Sequence, residues 1–555
     1  MNRLIFSIQL CLLAGLTPLF ASANPALPIQ NKYLADSPYP VMHGYGDFTP
    51  TPGPVGPSRQ LRADEITWKG VGPLNGYVPL YSNPYPNGKR VIWLGGYDRI
   101  TKLDADTFAI LTTYAIGGNT YFGAEEIERH IATMDRMNDA DVDAYEQKLW
   151  RAPFTATQAS YRMVSAENEL YIPHISADGS KSLRVYGDAE PGNQASEIVL
   201  KREWKIPAEL SRANVMSVSM THDGWVTLVT QDGVLVVLSR DFKQVHSLKL
   251  PRNGVEPADS NFFNAFVRNG LTVDDKGGIY IATRDFLDRV QWTGEKLSLD
   301  AADGGWSAPY PNELGVGSGT TPTPMGWGPN EDHLVLIADA TRGNNLLAFW
   351  RDEIPADWKG LPGLDRRVAG ITPVTFGTSP REVVQVENAA LVYGYGAFMN
   401  NFDNSFVAEY AAITAVKRDQ KEKLGVVFLP RHEAAGGSRI EWDPKSRTLK
   451  TMWRSQVNFV GTVCVISGGS DKVYCWGQRD KKWTMEAVDW KTGASNYYTL
   501  GKSKRYDALA GPIIIGPHGE VVCGCGGGLG IIRVMLKEKA KRSPPAAVGD
   551  KNQGR

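Results

Sequence analysis

The 555-residue sequence predicts an all-β fold: a single eight-bladed β-propeller, with seven blades as the alternative count, carrying one short helical insertion. Three observations predict it. The stretch VMSVSMTHDGWVTLVTQDGVLVVLSRDFKQVHSLKL consists of β-branched runs broken at His222-Asp223-Gly224 and Asp232-Gly233, which is how a meander of four antiparallel strands reads. A second copy follows at once in LTVDDKGGIYIATRDFLDRVQWTGEKLSLD. The turn from Asp104 to Thr107 returns near Asp443 in RIEWDPKSRTLKTMW and near Asp489 in EAVDWKTGASNYYTL, the mark of one unit copied around a ring. With 15 Trp, 22 Tyr, 57 Gly and 34 Pro the composition suits pleated surfaces and tight turns rather than helices.

Taken in order, residues 1–23 read as a signal peptide: Arg3, an apolar run from Leu4 to Phe20, and Ala21-Ser22-Ala23 before Asn24. No other segment approaches the ~20 apolar residues that cross a bilayer. The expectation is a periplasmic or secreted protein with no membrane span. Lys+Arg and Asp+Glu are both 60, so no net field draws the chain to nucleic acid, and a small-molecule substrate is the expected partner. Residues 24–62, with PTPGPVGP at Pro50 to Pro57, read as a Pro-rich arm lying extended across the surface and contributing little core.

Residues 63–534 read as the propeller. Ala63 to Val71 is a spare strand, and the first blade then runs through GYVPLYSN, RVIWLGGYDR, ITKLDADTF and AILTTYAI. Gly123 to Trp150 breaks the pattern, because Ile127, Ile131 and Met134 recur at helical spacing. Asp139, Asp141 and Asp143 there resemble the start of a calcium loop, but Ala144 stands where its glycine is needed and Trp150 where its glutamate is needed. The second blade begins near Tyr161 and the fifth at Thr320. The sixth begins with VVQVEN and ALVYGYG, breaks off near Phe398 and resumes at Arg439; the seventh and eighth follow from TVCVISGGSD and GPIIIGPHG. The eighth has three strands of its own, so the spare strand 63–71 is expected to complete it and close the ring. Residues 535–555 form a polar tail expected to be disordered.

Four cysteines follow the signal peptide. The GGSD turn places Cys464 and Cys475 opposite each other on paired strands, so a disulfide is expected there in an oxidising compartment. Cys523 and Cys525 are two apart on one strand face, without the second ligand pair that a metal site needs.

The third strand Ala487-Val488-Asp489-Trp490-Lys491-Thr492-Gly493 resembles the repeats of the quinoprotein dehydrogenase-like propellers, and the likeness covers the scaffold from about Gly76 to Val534. NGLTVDDKGGIYIAT also looks like a blade of the gluconolactonase-type propellers. The first resemblance implies redox chemistry and leaves open a quinone or a metal ion as cofactor. Those enzymes carry adjacent cysteines beside the cofactor and often a CxxCH haem site, and this chain has neither.

Chemistry on a propeller sits at the mouth of the central channel, on the loops leading into each inner strand and those joining second and third strands. That mapping nominates His174, Glu387, Glu382 and Asp339 as catalytic candidates. Arg284, Arg342, Arg381, Asn269 and Asn344 are the substrate-binding candidates, with Asp98, Arg99, Arg268, Asp285, Asn388, Arg505 and Asp507 nearby. Arginine beside an acid suits a carboxylate, sulfate or sugar acid, although the same pairs also tie blades together. The sequence-level reading is an exported enzyme acting on a small polar or anionic molecule in the funnel, an oxidoreductase by scaffold likeness. A hydrolase, lactonase or lyase, or a non-catalytic binding propeller, are the alternatives.

Overall fold

Each of the eight sheets is a four-stranded antiparallel meander, and the eight stand as a ring. The computed structural model describes residues 26–35, 54–117, 122–138, 141–142, 145, 161–176, 178–251, 265–313, 315–341, 343–376, 386–402, 435–460, 462–508 and 511–537. The blade count is therefore eight. The third blade shows why these residues make strands: Val215–Met220, Val226–Thr230 and Val234–Leu238 are buried throughout, while the outer strand Val245–Lys249 alternates exposed and half-buried positions. The fourth blade adds a strand, Trp306–Pro309, on the side of Phe286–Trp292.

Turn chemistry accounts for the repeat. Asp104 Oδ1 accepts hydrogen bonds from Thr107 N and Oγ1, and Asp489 Oδ1 accepts the same pair from Thr492. Asp443 does likewise with Lys445 and Ser446. A carboxylate that satisfies the turn's own donors fixes the corner between third and outer strands without help from elsewhere.

The outer strand of the eighth blade is Ile66–Gly70, paired with Gly530–Val534 so that Thr67 faces Arg533 and Trp68 faces Ile532. The first three strands of that blade come from the other end of the chain. The helix Ala124–Met134 lies beside this junction, with Ile127, Ile131 and Met134 packed among Leu74, Phe122 and Leu529. Of the calcium-loop-like residues, Asp139 and Asp143 lie outside the described residues.

Two expectations need correction. The inner strand of the sixth blade is Leu391–Tyr393, within ALVYGYG, and its second strand Gly396–Asn400; of the run VVQVEN, Val383 to Gln385 lie outside the described residues. Val386 to Asn388 instead belong to the loop leading into that strand. The N-terminal arm does contribute core: Leu34 and Ala35 are buried within the cluster of the first three blades. Ala35 N donates to Val164 O, Ala166 N donates to Tyr33 O, and Asn31 Nδ2 donates to Met220 O. Further along, Ser467 Oγ donates to Pro54 O and Tyr474 OH to Pro57 O. Residues 31–35 and 54–57 of the arm thus lie over turns between first and second strands, the end of each sheet opposite the mouth.

Cys464 and Cys475 are joined in a disulfide, their Cα atoms 4.6 Å apart, continuing the register in which Val465 faces Tyr474. Cys523 and Cys525 are free thiols, both buried. Among the described residues no helix is long and apolar enough to cross a membrane.

Candidate functional site

The loops leading into the inner strands of the second, fourth, fifth and sixth blades meet through polar side chains. Arg268, just before the inner strand Thr272–Val273, sends Nη2 to both carboxylate oxygens of Glu387, at 2.9 and 2.8 Å. Its Nη1 donates to the carbonyl of Gly317 at 3.1 Å. One guanidinium therefore bridges three blades, from loops about fifty and more than a hundred residues away in sequence. Asn269 extends the bridge: its Nδ2 donates to Gly319 O, and its Oδ1 accepts from Tyr161 OH at 2.6 Å. Burial, before any neighbouring charge, pushes the Tyr161 phenol well above its usual range, so it is a neutral donor at every physiological pH.

Glycine is required at two points of this mouth. A Cβ on Gly319 would collide with the Glu387 carboxylate, and Gly317 holds φ of +78° while its Cα approaches the Arg284 backbone. The turn carrying Arg284 is itself fastened, since Asn312 Nδ2 donates to Arg284 O and Asp285 Oδ1, and Tyr310 OH donates to Arg284 O. Arg284 is half-buried at the edge of the same group.

The structure thus brings together Glu387, Asn269 and Arg284 of the nominated residues, with Arg268. Asn344 has a supporting part: its Nδ2 donates to Asp339 O, and its Oδ1 accepts from Val386 N at 2.8 Å, which holds the segment presenting Glu387. Asp339 is occupied within its own turn, accepting from Thr341 N, Asn345 N and Asn345 Nδ2. Burial raises the Asp339 pKa, but its acceptors are committed to the corner. His174 stands apart. It ends the second strand of the second blade beside Arg184 and Glu203, which pair at 2.8 Å on the third and outer strands. Burial and then the Arg184 charge lower the His174 pKa to about 4, so the ring is neutral and embedded in its own blade. Arg342, Arg381 and Glu382 lie outside the described residues. Asp98 holds Arg99 at 2.8 Å, Arg505 pairs with Glu128 of the helix, and Asn388 Nδ2 donates to Thr462 O. These are ties between neighbouring segments.

Tyr161 and Gly319 escaped the sequence reading. The signal was positional, for both precede an inner strand by a few residues as Arg268 and Glu387 do, but a tyrosine beginning an apolar run reads as the strand itself.

The residues that would hold a cofactor can be tested against this packing. The Nη donors of Arg268 are engaged with Glu387 and Gly317, and a Cβ on Gly319 would meet the Glu387 carboxylate, so these groups are committed to one another. Cys523 and Cys525 are separated by Gly524 and buried in the seventh–eighth blade cluster. Among the described residues no three His, Cys, Asp or Glu side chains converge as a metal site would need.

No protein-family model matches the chain. A protein of Archaeoglobus fulgidus described as uncharacterized is 29% identical over 524 residues, spanning 92% of this chain and 90% of its own. Among solved structures, BamB of Moraxella catarrhalis matches 67% of this chain and 95% of its own at 8% identity, with a TM-score of 0.37. A catalytically inactive virginiamycin B lyase of Staphylococcus aureus, solved with quinupristin, matches 77% of this chain and 97% of its own at 9% identity and a TM-score of 0.35. The computationally designed Ika8 protein matches 84% and 97% at 10% identity and a TM-score of 0.41. None of these likenesses says what is bound here; the propeller is read from the eight sheets themselves.

Proposed function

We propose that the chain is an exported β-propeller enzyme that receives a small polar or anionic molecule at the funnel mouth and works on it by acid–base chemistry, as a hydrolase, lactonase or lyase would. The observation that supports this reading is the meeting of Arg268, Glu387, Asn269 and Tyr161 from three blades at one place. In this role Glu387 is the base, oriented by the Arg268 fork, and Tyr161 is a positioning residue that fixes Asn269 through its hydroxyl. Asn344 is a positioning residue for the Glu387 loop. The oxidoreductase reading draws on scaffold likeness, and scaffolds do not fix functions.

The test is a thermal-shift screen of hydroxy acids, lactones and sugars against the purified exported protein, followed by NMR of any stabilising compound for turnover. The expected result is a ligand whose conversion falls about a hundredfold or more in Glu387→Gln while binding survives. Turnover untouched by that substitution would remove Glu387 from the chemistry, and binding without turnover would make this a binding propeller. Export is checked on the same material, whose amino terminus should be Asn24.

A further inference from the structure

We infer that His333 is held as an imidazolium in the folded protein and acts as a pH-sensitive latch on the face of the ring opposite the mouth. The side chain stands at the end of the turn that joins Thr323–Met325 to Leu334–Ala338 in the fifth blade. Its Nδ1 is 2.8 Å from Asp352 Oδ2, and its Nε2 is 2.9 Å from the carbonyl oxygen of Gly328. Both partners are acceptors. A neutral imidazole has one N–H and one lone pair, so it can satisfy only one of them and must set its lone pair against the other, whereas the doubly protonated ring donates to both.

The charges around the ring do not decide the matter by their sum. Three carboxylates, Asp352, Glu331 and Asp332, stand against three cations, Lys276, Arg351 and Arg367. Burial raises the Asp352 carboxyl, but hydrogen bonds from His333 and Lys276 and the Arg351 charge outweigh it and hold the group at about 2, so Asp352 is an ionised acceptor. Lys276 reaches the same Oδ2 from the fourth blade at 2.8 Å, yet its side chain is 57% exposed and water screens it. The two arginines spend N–H groups on carbonyls: Arg351 Nη2 on Gly326 O at 2.7 Å, and Arg367 Nη1 on Trp350 O and Asp352 O at 2.8 Å. Glu331 is taken up by the N–H groups of Trp327 and Gly328, at 2.7 and 2.8 Å, which leaves the Gly328 carbonyl to the ring. Hydrogen bonding therefore sets the protonation of His333.

The turn that this ring fastens is a meeting point. Asp332 accepts from Trp442 Nε1 of the sixth blade at 2.9 Å, and its N–H donates to Tyr395 OH of the same blade. A Cβ on Gly328 would meet Ala26 of the N-terminal arm. With Lys276 on Asp352, the fourth and sixth blades and the arm all touch the segment that His333 closes. The latch is complete at low pH. Raising the pH removes one ring proton, sets a lone pair against an acceptor, and loosens the turn.

The experiment is NMR of the full exported chain labelled with 15N-histidine, at about pH 7.5, a unit above the ~6.5 midpoint of a free imidazole. The signals lost in His333→Gln should show both ring nitrogens protonated; a single neutral tautomer there would overturn the imidazolium. Asp352→Asn should return the ring to the neutral form at the same pH, and a ring still doubly protonated in that variant would overturn the assignment of its proton to this pair of acceptors. Once the wild-type ring loses its proton at higher pH, amide exchange of residues 326–333, corrected for its intrinsic rate, should rise about tenfold, while His333→Gln stays flat. Deprotonation with no change in exchange would overturn the latch. If His333→Gln does not fold, the signals that shift in Asp352→Asn identify the ring and the wild-type measurements decide.

Discussion

Beyond the apolar clusters shared by neighbouring blades, two regions join distant parts of the chain by different physics. Within the eighth blade a backbone ladder from Ile66–Gly70 to Gly530–Val534 joins the two ends of the chain and carries the closure, backed by apolar burial of Ile532, Cys523, Cys525 and Leu529. At the mouth the Arg268–Glu387 ion pair and side-chain-to-carbonyl bonds join the fourth, fifth and sixth blades. The ladder draws on many small terms that do not depend on pH or salt. The mouth depends on a few desolvated groups whose loss leaves a partner unpaired. A region built the first way is suited to stability, and one built the second way to holding exact geometry, which is what a site requires.

The largest effect should come from the ladder. Deleting residues 61–72 exposes the edge of Gly530–Val534 and the core beneath it, and no cooperative unfolding transition should remain by circular dichroism. Deleting residues 24–60 should leave a folded ring with a lowered Tm, because Leu34 and Ala35 are lost from the core but the closure survives. Equal outcomes for the two deletions would show that the strand and the arm contribute alike to the ring.

Next in size is the mouth pair. Arg268→Met strands the Glu387 carboxylate, and urea unfolding should show a loss of about 3 kcal/mol. Adding Glu387→Leu to that variant should recover most of it, since a buried pair is often replaceable by apolar groups. If the single variant is neutral, the pair is a surface contact and the mouth loses its status as a buried site.

Asp288 gives a smaller, pH-dependent test between the third and fourth blades. It is opposite Ile281 and Ser307 in the sheet, 1% exposed, with the hydroxyls of Ser307 and Thr283 beside it, and burial raises its pKa to about 7. Between about pH 4 and pH 7 the folded protein keeps a proton that the unfolded chain has released, so stability falls as pH rises through that window and then levels off. Asp288→Asn removes this slope. Its Tm advantage over the wild type should grow from pH 4 to pH 7 and stay constant above, and a pH-independent difference would refute the buried acid.

The smallest expected effect is at the closure: Cys523→Ala should cost roughly 1 kcal/mol, as a modest cavity in an apolar cluster. The thiols of Cys523 and Cys525 should react with a disulfide reagent only at the rate of global unfolding, and fast labelling of native protein would show that the junction opens locally.

What the sequence determined alone was whatever is encoded within one blade. Asp104, Asp443 and Asp489 each bond donors two or three residues on, so the repeat and its corners are legible without knowing what surrounds them. The disulfide is legible for the same reason, because one tight turn sets the register of Cys464 and Cys475. Even there, local pattern can mislead: VVQVEN alternates like a strand, but Val386 to Asn388 belong to the loop that carries Glu387 into the mouth. The tertiary structure alone decided which candidates meet. Asp339 and Asn344 satisfy each other's turn, His174 turns into its own blade, and Arg268 finds Glu387 rather than the acids near it in sequence. Such pairings join loops 108 to 119 residues apart, from Tyr161 to Asn269 and from Arg268 to Glu387. No periodicity spans that distance; only the circular packing of blades, which brings every loop leading into an inner strand to one axis, puts those side chains within reach of one another.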